Sequence, residues 1–128
     1  MLTEGIELEE VEKVIVTTPN NKSPGIDGIP YEFYKVFWDI IKIEIHLIIQ
    51  GILTYNMSKS QKTAIITLNP KDECNDLLTN WRPISLTTCD YNFFTKIISN
   101  RLKLIIPHVI SPEQYCCPDK SILTVMLL

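Results

Sequence analysis

The chain reads as an α+β fold in which helices pack on a small antiparallel sheet. Apolar residues recur at helical spacing over 37–52 and again over 90–106, while two short β-rich runs, 62–68 and 81–86, lie between those helices. With 128 residues and 45% hydrophobic content, the chain can bury one core, so a single globular unit is the expectation.

The elements follow in order. An opening helix is expected over Glu7 to Thr17, because its acidic first turns complement the positive end of the helix dipole; Pro19, Asn20 and Asn21 stop it. The segment Lys22-Ser23-Pro24-Gly25-Ile26-Asp27-Gly28-Ile29-Pro30 carries Pro-Gly and Asp-Gly pairs, which supply the backbone angles of consecutive tight turns. It is a shaped loop, and Pro30 suits the first turn of a following helix. From Phe37 to Ile52 an amphipathic helix is predicted. Phe37, Ile41, Ile45, Ile48 and Ile52 form the core face, and Asp39, Lys42, His46 and Gln50 form the wet one, which makes His46 a solvated histidine.

Lys62 to Leu68 is the first strand, ended by Pro70, and Trp81 to Leu86 is the second. Paired as a hairpin with a long loop, they would bring Lys71 near Arg82. The last helix runs from about Asp90, its expected cap, to Ile106, and Pro107 and Pro112 close it. Arg101 projects from the middle of this helix's apolar face, so a structural ion pair with a carboxylate on another element is favoured over contact with nucleic acid. The uncharged, mostly apolar run from Ser121 to Leu128 reads as a chain that stops inside an element.

Charge and cysteine content exclude little. The formal charge is −3, with Glu4, Glu7, Glu9, Glu10 and Glu12 against Lys13 alone in residues 1–13. Taking these five and one from the totals of 15 acidic and 12 basic residues leaves 10 and 11, a neutral body without the basic footprint of a nucleic-acid coat. Cys74, Cys89, Cys116 and Cys117 have no Cys-x-x-Cys spacing and no secretory leader precedes them, so a reduced, intracellular protein (cytoplasm or nucleus, not secreted) is expected, with no metal site. The most apolar stretch, 36–55, holds Asp39, Lys42, Glu44, His46 and Gln50, which argues against a membrane span.

Three blocks carry a family resemblance. The loop from Lys22 to Pro30, continued by Tyr31-Glu32-Phe33-Tyr34-Lys35, resembles the K-S-P-G-x-D-G-I-P block of LINE-type, non-long-terminal-repeat retrotransposon reverse transcriptases. Lys62 to Lys71 is similar to the fingers strand that ends in a lysine, and Asn80-Trp81-Arg82-Pro83-Ile84-Ser85-Leu86 matches that family's most specific signature. Asp90-Tyr91, Ser99-Asn100-Arg101-Leu102-Lys103 and Ile110-Ser111-Pro112-Glu113-Gln114 extend the resemblance over about 20–114.

The resemblance implies an incomplete fingers and early palm, with 1–19 as an acidic helix and linker and 20–128 as a partial reverse-transcriptase domain. It implies that Lys71 and Arg82 contact the triphosphate of the incoming deoxynucleotide. A guanidinium grips phosphate oxygens in a bidentate way and an ammonium acts as a point charge. It further implies that Lys22, Gly25, Asp27 and Gly28 lie near the template, although a purely structural turn explains the last three equally well. RNA template and DNA primer are the partners of the parent enzyme, and Mg²⁺ is its metal. The Tyr-x-Asp-Asp hairpin that would hold that metal is absent from the sequence, so no catalytic residue and no cofactor are expected in this chain. Asp72, Asp76 and Asp90 match loop or helix-start positions. Gln61 where the family has Trp, Asn69 before Pro70, and Tyr115 to Lys120 in place of a Gly-Phe and a Gly-Arg depart from the pattern. A non-catalytic RNA- or protein-binding module on the same fold is the alternative.

Overall fold

A computed structural model describes residues 4–71 and 77–109. Among them are four α-helices and one two-stranded sheet, in the order α1 (Leu8–Thr17), α2 (Tyr31–Val36), α3 (Trp38–Tyr55), β1 (Ile65–Pro70), β2 (Trp81–Leu86) and α4 (Cys89–Val109). A 3-10 turn, Leu78–Asn80, leads into β2. The architecture is α+β; the apolar run 121–128 and the loop 110–120 lie outside the described residues.

The core is helical. Ile6, Val11, Val14 and Ile15 meet Tyr31, Tyr34, Trp38, Ile45 and Ile49, with Cys89, Phe93 and Ile97 of α4 closing it. Phe93 is its centre: Tyr31 and Tyr34 present their edges to it at 5.6 and 5.2 Å between ring centroids, the geometry in which the positive ring edge meets the negative face. α1 belongs to this same core, so residues 8–15 fold with the rest of the chain.

Three expectations are corrected in detail. The helix expected from Phe37 is divided there: α2 ends at Val36 and α3 starts at Trp38, with Phe37 at φ −98° and ψ 10°. Its buried face is Trp38, Ile45, Ile49 and Ile52, while Phe37 and Ile48 stay 42% exposed. An apolar residue near the boundary of a wide stripe satisfies the helical period whichever side it falls on, and contact with α1 and α4 selects Trp38 and Ile49. The first strand begins at Ile65, because Lys62 and Thr63 donate their N–H groups to Ser58 and Ser60 in a preceding turn. α4 begins one residue early and continues through Pro107 to Val109; a proline in the last turn removes a single backbone bond, which the end of a long helix tolerates.

His46 is a fourth correction. It is half-buried, and its Nε2 lies 2.6 Å from the Ile6 carbonyl oxygen, which also accepts from Gln50 Nε2 at 2.7 Å. The backbone of residues 4–6 runs past α3 and needs partners for its carbonyls, a demand invisible to helical periodicity.

The sheet is an exposed ribbon. β1 and β2 pair antiparallel from Ile65↔Leu86 to Pro70↔Trp81, and every β1 residue is exposed. Pro83 is opposite Leu68, which two strands with free edges permit.

Candidate functional site

The ribbon positions the two cations singled out in the sequence. Arg82 is directly opposite Asn69, and the ladder extends one step beyond β1 through the Lys71 N–H, which donates to the Asn80 carbonyl at 2.7 Å. Lys71 and Asn69 are two residues apart on one strand, so Lys71 and Arg82 fall on the same face as diagonal neighbours, with Cα atoms about 7–8 Å apart. Lys71 Nζ also donates to the Thr79 carbonyl at 2.7 Å, which ties it to the turn; an ammonium has three donors, so two remain for a ligand. Arg82 is exposed, and among the described residues nothing holds its guanidinium. Lys71 and Arg82, both exposed, thus make a patch of positive charge on one face of an open ribbon.

The loop residues lie elsewhere. Gly25 is buried against the β2–α4 connection: a Cβ at this position would sit 2.6 Å from Thr87 C, Thr87 O and Thr88 N. Only a residue without a Cβ permits this backbone-on-backbone approach. The Gly28 N–H donates to the Gly25 carbonyl at 3.1 Å, and Gly28 has φ +69°. Asp27 Oδ1 accepts from the Ile29 N–H at 3.3 Å. Each of these three residues thus has a structural task. The loop is stapled further when the Cys89 thiol donates to the Ile29 carbonyl at 3.1 Å and Asn92 Nδ2 donates to the Tyr31 hydroxyl at 2.6 Å. Burial pushes the Cys89 thiol up to about 12 and raises Tyr31 and Tyr34.

Lys22 is on the rim of an open pocket of about 500 Å³ between the end of α1, the end of β2 and α4, with Ser23, Tyr31, Thr87, Lys96 and Ser99 in its wall. Arg82 and Leu86 are four residues apart on an extended strand, so this pocket is about 13 Å along the ribbon from the Lys71–Arg82 face. Lys22, Gly25, Asp27 and Gly28 are therefore a separate group from Lys71 and Arg82. Ser99, expected on the wet face of α4, is buried with its Oγ lacking a hydrogen-bond partner among the described residues.

Arg101 forms the ion pair between helices. Its Nε and Nη2 donate to Glu10 Oε1 and Oε2 at 2.9 and 2.7 Å, and Nη1 and Nη2 donate to the carbonyls of Glu4 and Gly5 at 2.8 and 3.0 Å. The Glu10 carboxylate, first by hydrogen bonding, raises the Arg101 pKa further. Asp90 is not the cap of α4 but stands inside its first turn, where Oδ2 accepts from Gln61 Nε2 at 2.6 Å. Gln61 Oε1 in turn accepts from the Ser58 N–H at 2.9 Å, so this buried glutamine ties the turn before β1 to the start of α4. Its departure from the apolar family pattern was the signal that could have exposed it.

Among the described residues no three His, Cys, Asp or Glu side chains gather to hold a metal ion, and no helix is long and apolar enough to cross a membrane. The donors among the described residues do not fit a catalytic Mg²⁺ pair.

The chain is an α+β unit with an exposed, cation-bearing ribbon. No family model matches it. The chain is similar to the transposon TX1 uncharacterized 149 kDa protein of Xenopus laevis, 37% identical over 119 residues. Those residues take in 91% of the chain and 9% of that relative, which supports a transposon origin.

Proposed function

We propose that the chain is the fingers-side piece of a retrotransposon reverse transcriptase, whose ribbon grips the triphosphate of an incoming deoxynucleotide through Lys71 and Arg82. The observation that carries this is the β1–β2 register, which sets the two cations on one exposed face, with donors that no other described residue takes up. Similarity to a transposon protein supports the same reading. In it, the guanidinium holds phosphate oxygens and the ammonium neutralises charge that builds during phosphoryl transfer. RNA template, DNA primer and magnesium are engaged by the longer parent, and this chain alone performs no nucleotide addition because it lacks the Tyr-x-Asp-Asp hairpin.

Titration of the isotope-labelled chain with a deoxynucleoside triphosphate, followed by NMR, tests the grip. Shifts concentrated on Lys71 and Arg82, abolished by Arg82→Ala and weakened by added salt, are expected, with a dissociation constant on the order of 1 mM. Shifts confined to other elements, or equal in Arg82→Ala, refute the assignment. Primer extension on an RNA template is expected to give no product from this chain.

A further inference from the structure

The pocket beside Lys22 has a one-sided chemistry. No carboxylate is found among the described residues that line it, although the whole chain is net acidic, and Lys22 and Lys96 are both there. Its polar groups divide in two. All four threonine hydroxyls in the wall already donate within the chain, to the carbonyls of Lys13, Val14 and Asn92 and to Asn92 Oδ1. The Asn92 amide is spent on the Tyr31 hydroxyl and the Thr87 carbonyl. Left without a partner among the described residues are the two ammonium groups and the hydroxyls of Ser23, Ser85 and Ser99. Ser99 is only 3% exposed, and its Oγ is unpaired. Buried hydroxyls nearly always have a partner, supplied by protein, water or ligand.

Every open group can donate, so a negatively charged acceptor completes the site. Two ammonium charges and three hydroxyls match a phosphate monoester, which carries about −1.5 to −2 charge and three acceptor oxygens at pH 7. A nucleic-acid phosphodiester carries a single charge and would leave one cation unanswered. Phosphate fills only part of about 500 Å³, and Leu86 and Phe93 in the wall offer apolar surface to an organic body. We propose that this pocket binds a small phosphate monoester, its phosphoryl oxygens held by Lys22, Lys96 and Ser99 and its organic part against Leu86 and Phe93. The site is separate from the Lys71–Arg82 face, about 13 Å away along the ribbon.

Titration of the isotope-labelled 128-residue chain with phenyl phosphate, followed by NMR, tests this, with dimethyl phosphate as the diester control. Phenyl phosphate is expected to shift the amides of Ser23, Thr87, Lys96 and Ser99, with a dissociation constant on the order of 1 mM. Binding tightens as pH rises through about 6, where the monoester takes its second charge. Inorganic phosphate, which lacks the ring, binds roughly fivefold more weakly. Lys22→Gln and, separately, Lys96→Gln weaken phenyl phosphate roughly tenfold, and Ser99→Ala roughly threefold. Lys22 is exposed and Ser99→Ala removes only an unpaired hydroxyl, so these two chains fold, as unchanged helical circular dichroism would show. The same shifts in Arg82→Ala separate this site from the triphosphate grip. Three results overturn the proposal: no shift of these amides up to about 20 mM, no loss in either lysine variant, or inorganic phosphate, dimethyl phosphate or single-stranded RNA binding as tightly as phenyl phosphate.

Discussion

Replacing Arg101 with alanine cuts the polar contacts that tie α4 to α1 and to the backbone of residues 4–5. At least four hydrogen bonds go at once: two to the Glu10 carboxylate at 2.9 and 2.7 Å, and two to the carbonyls of Glu4 and Gly5 at 2.8 and 3.0 Å. The side chains of Arg101 and Glu10 are 13% and 27% exposed, so the carboxylate left behind is largely shielded from water. A hydrogen bond to a charged group contributes about 1.5–3 kcal/mol, but the four share one side chain and water reaches the rim, so the loss is about 3–4 kcal/mol. Against a total of about 5–15 kcal/mol for a domain, that is a large fraction. Urea unfolding followed by Trp38 and Trp81 fluorescence gives the number. Glu10→Gln should cost about 1–2 kcal/mol, and the double-mutant cycle should return a coupling of about 1.5–3 kcal/mol. Arg101→Lys should not rescue, because an ammonium cannot match the planar fork. A loss below about 0.5 kcal/mol for Arg101→Ala, or a coupling near zero, refutes this reasoning.

Gly25→Ala should lower stability by more than about 2 kcal/mol, since backbone atoms of Thr87 and Thr88 meet the new Cβ at 2.6 Å, whereas Gly28→Ala, strained only by φ +69°, should cost about 1 kcal/mol; urea midpoints measure both. Gln61→Ala should cost about 2 kcal/mol in the same assay by stranding Asp90 and the Ser58 N–H, with Ser58–Thr63 amides exchanging faster with solvent. Cys89 is raised by burial from its ordinary 9.0 to about 12, and Tyr31 and Tyr34 are raised as well. The unfolded chain therefore releases these protons first. Their stabilising effect is complete below about pH 9 and is lost as pH rises toward about 12, so the urea midpoint should fall between about pH 7.5 and pH 10.5. Iodoacetamide should leave Cys89 unmodified in the folded chain and alkylate it in urea, as peptide mass spectrometry would show.

Where a residue's task is local, the sequence carried it. Pro-Gly and Asp-Gly forced turns that the structure contains, and Trp81 to Leu86 is a strand to the residue. Helical period found α3 and α4 and put Ile41, Ile45 and Ile52 on the core side of α3, but it took Phe37 and Ile48 in place of Trp38 and Ile49, because an apolar residue beside a wide stripe fits the period on either side. His46, Gln61 and Ser99 escaped detection for another reason. The partners of His46 and Gln61, the Ile6 carbonyl and the Asp90 carboxylate, are 40 and 29 residues away, the Ser99 hydroxyl is buried without a partner among the described residues, and single-chain periodicity holds no record of either circumstance. Arg101 was legible as a charge on an apolar face, while the identity of its partner, Glu10, needed the fold. For the ribbon, composition proposed the strands, and the register that sets Arg82 opposite Asn69 came from their pairing.

The clamp between Arg101 and the first turns spans 91 to 97 residues. During synthesis, α1 leaves the ribosome long before the guanidinium that anchors it exists, and the carbonyls of Glu4, Gly5 and Ile6 stay hydrated until α3 and α4 arrive. The β1–β2 ribbon, by contrast, closes within a single local stretch. Translation therefore delivers the ribbon early and the helical core last, and a nascent chain halted before residue 101 should remain a substrate for chaperones and proteases even with most of its helices made.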